Sequence, residues 1–161
     1  FIQRELDTLD ESDVRIRIIG DRTALPTDLQ GMLARAEART RDNAGLGLTL
    51  ALNYGGRQDI VQAARALVHA AANEAMEANA IDTEAFSGAL STAEIPDPDL
   101  LVRTSGEKRI SNFLLWQCAD SEIVFVDKLW PDVDGPDLEA AVEIYRQRAA
   151  RADRDETSHA S

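Results

Sequence analysis

One cysteine, Cys118, is all that the 161 residues provide. An internal disulfide is therefore excluded, which suits a reducing cytoplasm. Cations are also scarce, with 17 Lys and Arg against 29 Asp and Glu, for a formal charge of −12. That balance argues against non-specific nucleic-acid binding, which needs a basic face; it does not forbid a single local cationic pocket. No apolar run approaches the roughly 18–20 residues needed to cross a bilayer, and no basic-plus-apolar leader is evident. The two histidines, His69 and His159, lack Cys, Asp or Glu at metal-ligand spacing and read as structural or incidental. Neither GxSxG nor GxxxxGK[ST] occurs, so neither a hydrolase nucleophile elbow nor a Walker A loop is indicated.

What is present is ordinary for a globular protein. Apolar residues make up 44% of the chain, enough for one domain with a sizeable core. FIQRELDTLDESD reads as the end of a helix already under way, so the chain is expected to lack its natural beginning. VRIRII, residues 14–19, alternates branched apolar residues with arginine and predicts a strand with one solvated face. A helix opened by Pro26 follows, with Leu25, Leu29, Met32, Leu33 and Ala36 at helical spacing and a stop at Asn43 to Gly45. LGLTLALNY, residues 46–54, reads as a strand buried on both faces.

Gly55 and Gly56 turn the chain into a long helix, whose apolar face is predicted at Ile60, Val61, Ala64, Leu67, Val68, Ala71 and Ala72. Asp82 or Thr83 caps a short helix over residues 83–90. LLVRT is a third strand, SNFLLWQCA a helix with Ser111 near its N-terminus, and EIVFV, residues 122–126, a fourth strand. KLWPDVDGPD is a loop, and Leu138, Ala141, Val142 and Tyr145 mark the final helix. Residues 1–149 form the folded part, and 150–161 are expected to be a polar, disordered tail. Alternating strands and helices predict an α/β fold, a mainly parallel sheet flanked by helices.

RTSGEKRISNF, residues 103–113, gathers three cations in an acidic chain. Arginine forks match phosphate oxygens, and a helix start near Ser111 would offer free N–H groups to an anion. Gly106 would allow close backbone approach, and Glu107 could hold an arginine in place. The alternative is a solvated loop whose charges pair among themselves; spacing alone does not decide between them. NYGGR, residues 53–57, is either a second lining of that sheet edge or a tight turn. Asp59 reads as a favourable charge in the first turn of its helix. Glu122 alone cannot hold Mg2+, and by spacing it is better read as an exposed strand-end glutamate. Cys118 reads as a buried small hydrophobe, and Trp116 and Trp130 as core or interface.

DLLVRTSGEKRISNFLLWQ followed by SEIVFVDKLWPD resembles the C-terminal signature of the cis-prenyltransferases, the family of undecaprenyl diphosphate synthase. LNYGGRQDI and VRIRIIGD are similar to its middle segments, in the right order. The resemblance covers roughly residues 1–149, and RxxGExRxSxF is its most specific element.

It implies repeated addition of isopentenyl diphosphate to an allylic diphosphate, usually farnesyl diphosphate, with cis stereochemistry. It also implies a Mg2+ requirement and a homodimer around a parallel sheet, with the helix around Trp116 and strand 122–126 at the interface. A cytoplasmic location follows, with loose membrane association through the lipid product. Arg103, Arg109 and Ser111 would bind isopentenyl diphosphate, Glu107 would support them, and Glu122 would help bind Mg2+. Asp59 and Asp99 match acidic positions with supporting roles.

Ser105 stands where bacterial members commonly have glycine, Lys108 where some have histidine, and Asp120 where an aromatic is frequent. The DGNGRWA-type phosphate loop of the family, with its central catalytic aspartate, is not present. The 161-residue chain alone is therefore expected to be inactive although the full protein is an enzyme. The competing reading is a non-catalytic partner subunit. Such subunits lose phosphate-site residues, whereas this chain keeps Arg103, Arg109, Ser111 and Glu122. An unrelated phosphate-binding module would have no reason to carry LWPD and NYGGR as well.

Overall fold

The computed structural model describes the backbone of residues 2–159 and the side chains of residues 5–150. The chain divides into two compact units, Phe1–Glu94 and Ile95–Ser161. In the first, α1 (Ile2–Glu11) leads to β1 (Arg15–Ile19), α2 (Thr27–Arg39), β2 (Gly47–Ala51), α3 (Gly56–Ala72) and α4 (Thr83–Ala89). In the second, β3 (Leu100–Arg103) and β4 (Glu122–Phe125) precede α5 (Gly135–His159). The strands are parallel, as the alternation predicts, with one pair described in each unit. β1 runs beside β2 with Arg15 opposite Gly47, and β3 beside β4 with Leu100 opposite Glu122.

The alternation in β1 sends Ile16 and Ile18 to a core shared with Val14, Leu33 and Ala36, while Arg15 and Arg17 stay half-exposed. The backbone groups of β1 that face away from β2 would be orphans, and α2 supplies their partners. Ile16 N donates to Thr40 Oγ1 at 3.0 Å, and Ile18 N to Glu37 Oε1 at 2.8 Å. Thr40 is fully buried, and its hydroxyl donates onward to Ala36 O at 2.9 Å. Arg22 clasps both oxygens of Glu37 at 2.6 and 2.8 Å and donates to Ile18 O at 2.6 Å. The outer edge of β1 is thus occupied by side chains, one of the ways native sheets blunt an edge. Gly20 ends the strand at φ +104°, where a Cβ would lie 2.1 Å from Leu52 O; only glycine fits there.

Four expectations need correction. β2 is not buried on both faces: Leu50 is 37% exposed and the preceding Leu46 67%, because β2 has a neighbour only at β1 among the described residues. The buried face of α3 is Gly56, Asp59, Ala63 and Leu67, whereas Val61 and Val68 are exposed. Alanine at so many α3 positions leaves apolar periodicity with little to choose a face, and a buried carboxylate misleads it further.

SNFLLWQCA is not a helix. Ser111, Asn112 and Leu114 have φ of 47°, 64° and 44°, and residues 111–120 form consecutive turns. Three left-handed residues within four positions cannot propagate a right-handed helix. Finally, the backbone expected to be a disordered tail from residue 150 is helical to His159. Ala, Arg and Glu are good helix formers and extend the preceding turns; Ala160 and Ser161 lie outside the described residues.

Candidate functional site

The 103–113 segment leaves the C-terminal end of β3, where open parallel sheets place their ligands. Ser105 and Gly106 both take left-handed backbone, at φ 72° and 68°. Their N–H groups donate back across the strand pair, Ser105 to Lys128 O at 2.8 Å and Gly106 to Val126 O at 3.2 Å. These two donors are therefore spent on closing the loop and are not offered to an anion. With no helix at Ser111, the expected helix-terminus N–H groups are missing too. An anion at this loop would therefore be met chiefly by side chains.

Arg103 is half-buried and lines a cavity of about 260 Å3 with Leu101, Val102, Thr104, Ser105, Ile110 and Phe113. Among the described residues it pairs with no carboxylate. Arg103, Thr104 and Ser105 line this one cavity at the strand end, and a guanidinium and hydroxyls are donor types that suit a phosphate group. Arg109 and Ser111 are exposed and do not line this cavity. Arg109 Nε donates to Glu107 Oε2 at 2.8 Å, so Glu107 holds an arginine, and that arginine is the exposed one.

Glu122 sits elsewhere. It opens β4 opposite Leu100, whereas Arg103 lies opposite Phe125. Three residues separate the two positions along the pair, about 10 Å at strand rise. Its Oε2 accepts from Arg148 Nη1 at 2.8 Å, and no group of three or more His, Cys, Asp or Glu lies close enough to share a cation among the described residues. A single carboxylate already claimed by a guanidinium does not make a Mg2+ site by itself, since that ion demands several oxygen ligands. Asp99 contributes its carbonyl, which accepts from Glu122 N at 2.9 Å and sets the strand register.

Asp59 is buried. It accepts from Tyr54 Oη, Ser91 N and Ser91 Oγ, each at 3.0 Å, tying the start of α3 to the segment after α4. Its role here is more than a first-turn charge. His69 lies on α3, and the side chain of His159 is outside the described residues. Cys118 is buried, as expected, while Trp130 is 69% exposed.

Two residues escaped sequence reading. Arg148 lies seven positions after the buried Ala141 on α5, so helical spacing could have placed it toward β4. Lys128 carries the carbonyl that holds Ser105, and its ammonium reaches Asp137 at 2.7 Å and Asp134 at 3.7 Å. The hydrogen bond to Asp137 holds Lys128 above the ordinary lysine range and, in return, holds Asp137 below the usual carboxylate range.

Comparison with known proteins agrees with this architecture. Residues 1–153 match the prenyltransferase family model described as "Putative undecaprenyl diphosphate synthase". The chain is 48% identical over 151 residues to an isoprenyl transferase of Brucella suis, covering 94% of this chain and 59% of that protein. It is 46% identical over 151 residues to one from Agrobacterium fabrum, covering 94% and 61%.

Among solved structures, lavandulyl diphosphate synthase from Lavandula x intermedia, in complex with dimethylallyl diphosphate, superposes with a TM-score of 0.87. Its identity is 38%, over 91% of this chain and 64% of that one. A "probable undecaprenyl diphosphate synthase" from Campylobacter jejuni gives 0.79 at 29% identity, over 90% and 65%. The chain thus spans about three-fifths of the length of these relatives. On the family match and this identity, the chain belongs to the undecaprenyl diphosphate synthase family of prenyltransferases.

Proposed function

We propose that this chain supplies the isopentenyl diphosphate side of a cis-prenyltransferase. The observation that carries the reading is Arg103, without a carboxylate partner among the described residues and lining a cavity at the end of β3 with Thr104 and Ser105. A diphosphate bears several negative charges and suits such a donor set. Arg109 and Ser111, exposed on the same loop, extend the cationic surface, and Glu107 restrains Arg109. In the reaction, the C1–O bond of the allylic diphosphate breaks and diphosphate leaves. C1 bonds to the terminal alkene carbon of isopentenyl diphosphate, and C2 of the latter loses a proton. Fixing the isopentenyl group beside C1 contributes the proximity term. The allylic partner is a prenyl diphosphate, farnesyl diphosphate by family resemblance, and the lavandulyl relative's dimethylallyl diphosphate belongs to the same chemical class.

Mg2+ is part of this reading, as the ion that would neutralise charge on the leaving diphosphate. Glu122 is the residue this chain offers toward it, and further oxygen ligands would have to come from outside the described residues. The product is a long polyprenyl diphosphate such as undecaprenyl diphosphate, a cell-wall lipid carrier. The full protein acts as a homodimer in the cytoplasm, at the inner face of the membrane. No helix among the described residues is long and apolar enough to cross that membrane. The 161-residue chain is inactive alone, since it carries no DGNGRWA-type loop.

Incubating the full-length protein with farnesyl diphosphate, labelled isopentenyl diphosphate and Mg2+ tests the proposal. Long cis products support it. No elongation at any Mg2+ concentration refutes it in favour of a non-catalytic partner subunit.

A further inference from the structure

The first unit carries a cationic cluster that the proposed chemistry does not use. Arg15 and Arg17 stand two apart on β1 and so share one face, their Cα atoms about 7 Å apart. With Arg41, just past the end of α2, they line a cavity of about 310 Å3 together with Ile16, Glu37 and Ala38. That volume lies at the low end for small-molecule sites, roughly 300–1,000 Å3.

Carboxylates satisfy these arginines only in part. Both oxygens of Glu37 are taken by Arg22, and one also accepts from Ile18 N. Arg17 reaches Glu94 at 2.7 Å, but that glutamate is 77% exposed, and a surface pair of this kind is weak and easily exchanged. Arg41 Nε stands 3.9 Å from Asp42, its chain neighbour, beyond hydrogen-bond reach. The Arg15 guanidinium pairs with no carboxylate among the described residues. Nor are the three arginines needed to blunt the strand edge, since Thr40, Glu37 and Arg22 already close it. Like charges gathered around one cavity repel each other, and an anion among them removes that repulsion.

We propose that this cavity binds a phosphate-bearing anion, with Arg15 and Arg41 as its principal ligands and Arg17 exchanging Glu94 for it. Guanidinium forks match phosphate oxygens two at a time. The chemistry recognised is a phosphate group with two free oxygens, which free diphosphate and the headgroup of an anionic phospholipid both offer. The site is built from the first unit alone and does not depend on the reading of Arg103.

The test follows the side-chain Nε–H signals of Arg15 and Arg41 by NMR in the full-length protein, made with isotope-labelled arginine and assigned with Arg15→Gln and Arg41→Gln. Inorganic diphosphate should shift both signals saturably. Arg15→Gln should weaken the affinity read at Arg41 roughly tenfold or more, as loss of a charge-assisted hydrogen bond gives. Reading the affinity at these two signals separates it from diphosphate bound elsewhere. Flotation with phosphatidylcholine vesicles, with and without phosphatidylglycerol, distinguishes the source. The control is Arg35→Gln/Arg65→Gln, which removes the same charge at exposed positions that do not line the cavity. Retention on anionic vesicles that Arg15→Gln/Arg41→Gln loses and the control keeps assigns the site to a headgroup. Saturable shifts without that difference assign it to a free anion. Wild-type shifts that grow linearly and match those from chloride at equal ionic strength, with both double variants alike on vesicles, overturn the proposal. So does a diphosphate affinity at Arg41 that Arg15→Gln leaves unmoved.

Discussion

Thr40 should be the most informative single side chain in the first unit. It is fully buried and joins two elements through one oxygen, accepting from Ile16 N at 3.0 Å and donating to Ala36 O at 2.9 Å. Thr40→Val keeps the shape and removes the hydroxyl. The Ile16 N–H then faces an apolar methyl where water has no access, and a buried unsatisfied donor costs about 1–3 kcal/mol. Thr40→Ser makes the opposite cut, keeping the oxygen and losing one methyl, for about 1 kcal/mol. Urea unfolding of the full-length protein should therefore rank wild type, then Ser, then Val. For a chain of this size the valine variant should melt several degrees lower, at roughly 2–4 °C per kcal/mol. Valine equal to or more stable than serine would refute the claim that α2 caps the outer edge of β1 through this hydroxyl.

Three further outcomes are expected. Gly20→Ala should lose at least about 2–3 kcal/mol, since φ +104° and a Cβ 2.1 Å from Leu52 O leave no room; urea midpoints check it, and a near-neutral result would contradict the geometry. Ser105 is exposed at φ 72°, so Ser105→Gly should raise the urea midpoint and Ser105→Val lower it, each by on the order of 1 kcal/mol or less. Asp10 is held below the ordinary carboxylate value by Asn43 and then Arg39. A depressed carboxylate stabilises the fold above its unfolded pKa, and that contribution is lost as pH falls from about 4 through the folded value. Thermal melts between pH 7 and 3 should show a shallower acid loss for Asp10→Asn than for wild type.

The strands were legible because β1 alternates apolar and basic residues and because turn residues bracket each run. Parallel pairing followed from the helices between them, and the cap of α4 at Asp82 from its side chain, which accepts from Ala85 N at 2.8 Å. The segment after Ser111 was not legible. Phe, Leu and Trp at those positions suit a helix by pattern, and nothing local in Leu114 announces its left-handed backbone. The buried face of α3 was misread because Asp59 belongs to it, and its three 3.0 Å hydrogen bonds come from Tyr54 and from Ser91, 32 residues away in sequence.

Within the site, the cationic run stood out against a chain of charge −12. Which arginine lines the cavity depends on where the loop folds back, as the Lys128 and Val126 carbonyls decide. The opposite placement of Glu122 and Arg103 follows from register, which the sequence leaves open.

The most direct test of the proposed diphosphate role of Arg103 is steady-state elongation by the full-length protein, comparing wild type with Arg103→Ala and varying each substrate in turn. Loss of a charge-assisted hydrogen bond of about 1.5–3 kcal/mol predicts a KM for isopentenyl diphosphate about 10- to 100-fold higher. The KM for farnesyl diphosphate should hold. An unchanged KM for isopentenyl diphosphate, or an equal rise for both substrates, would contradict the assignment of this cavity to the isopentenyl diphosphate.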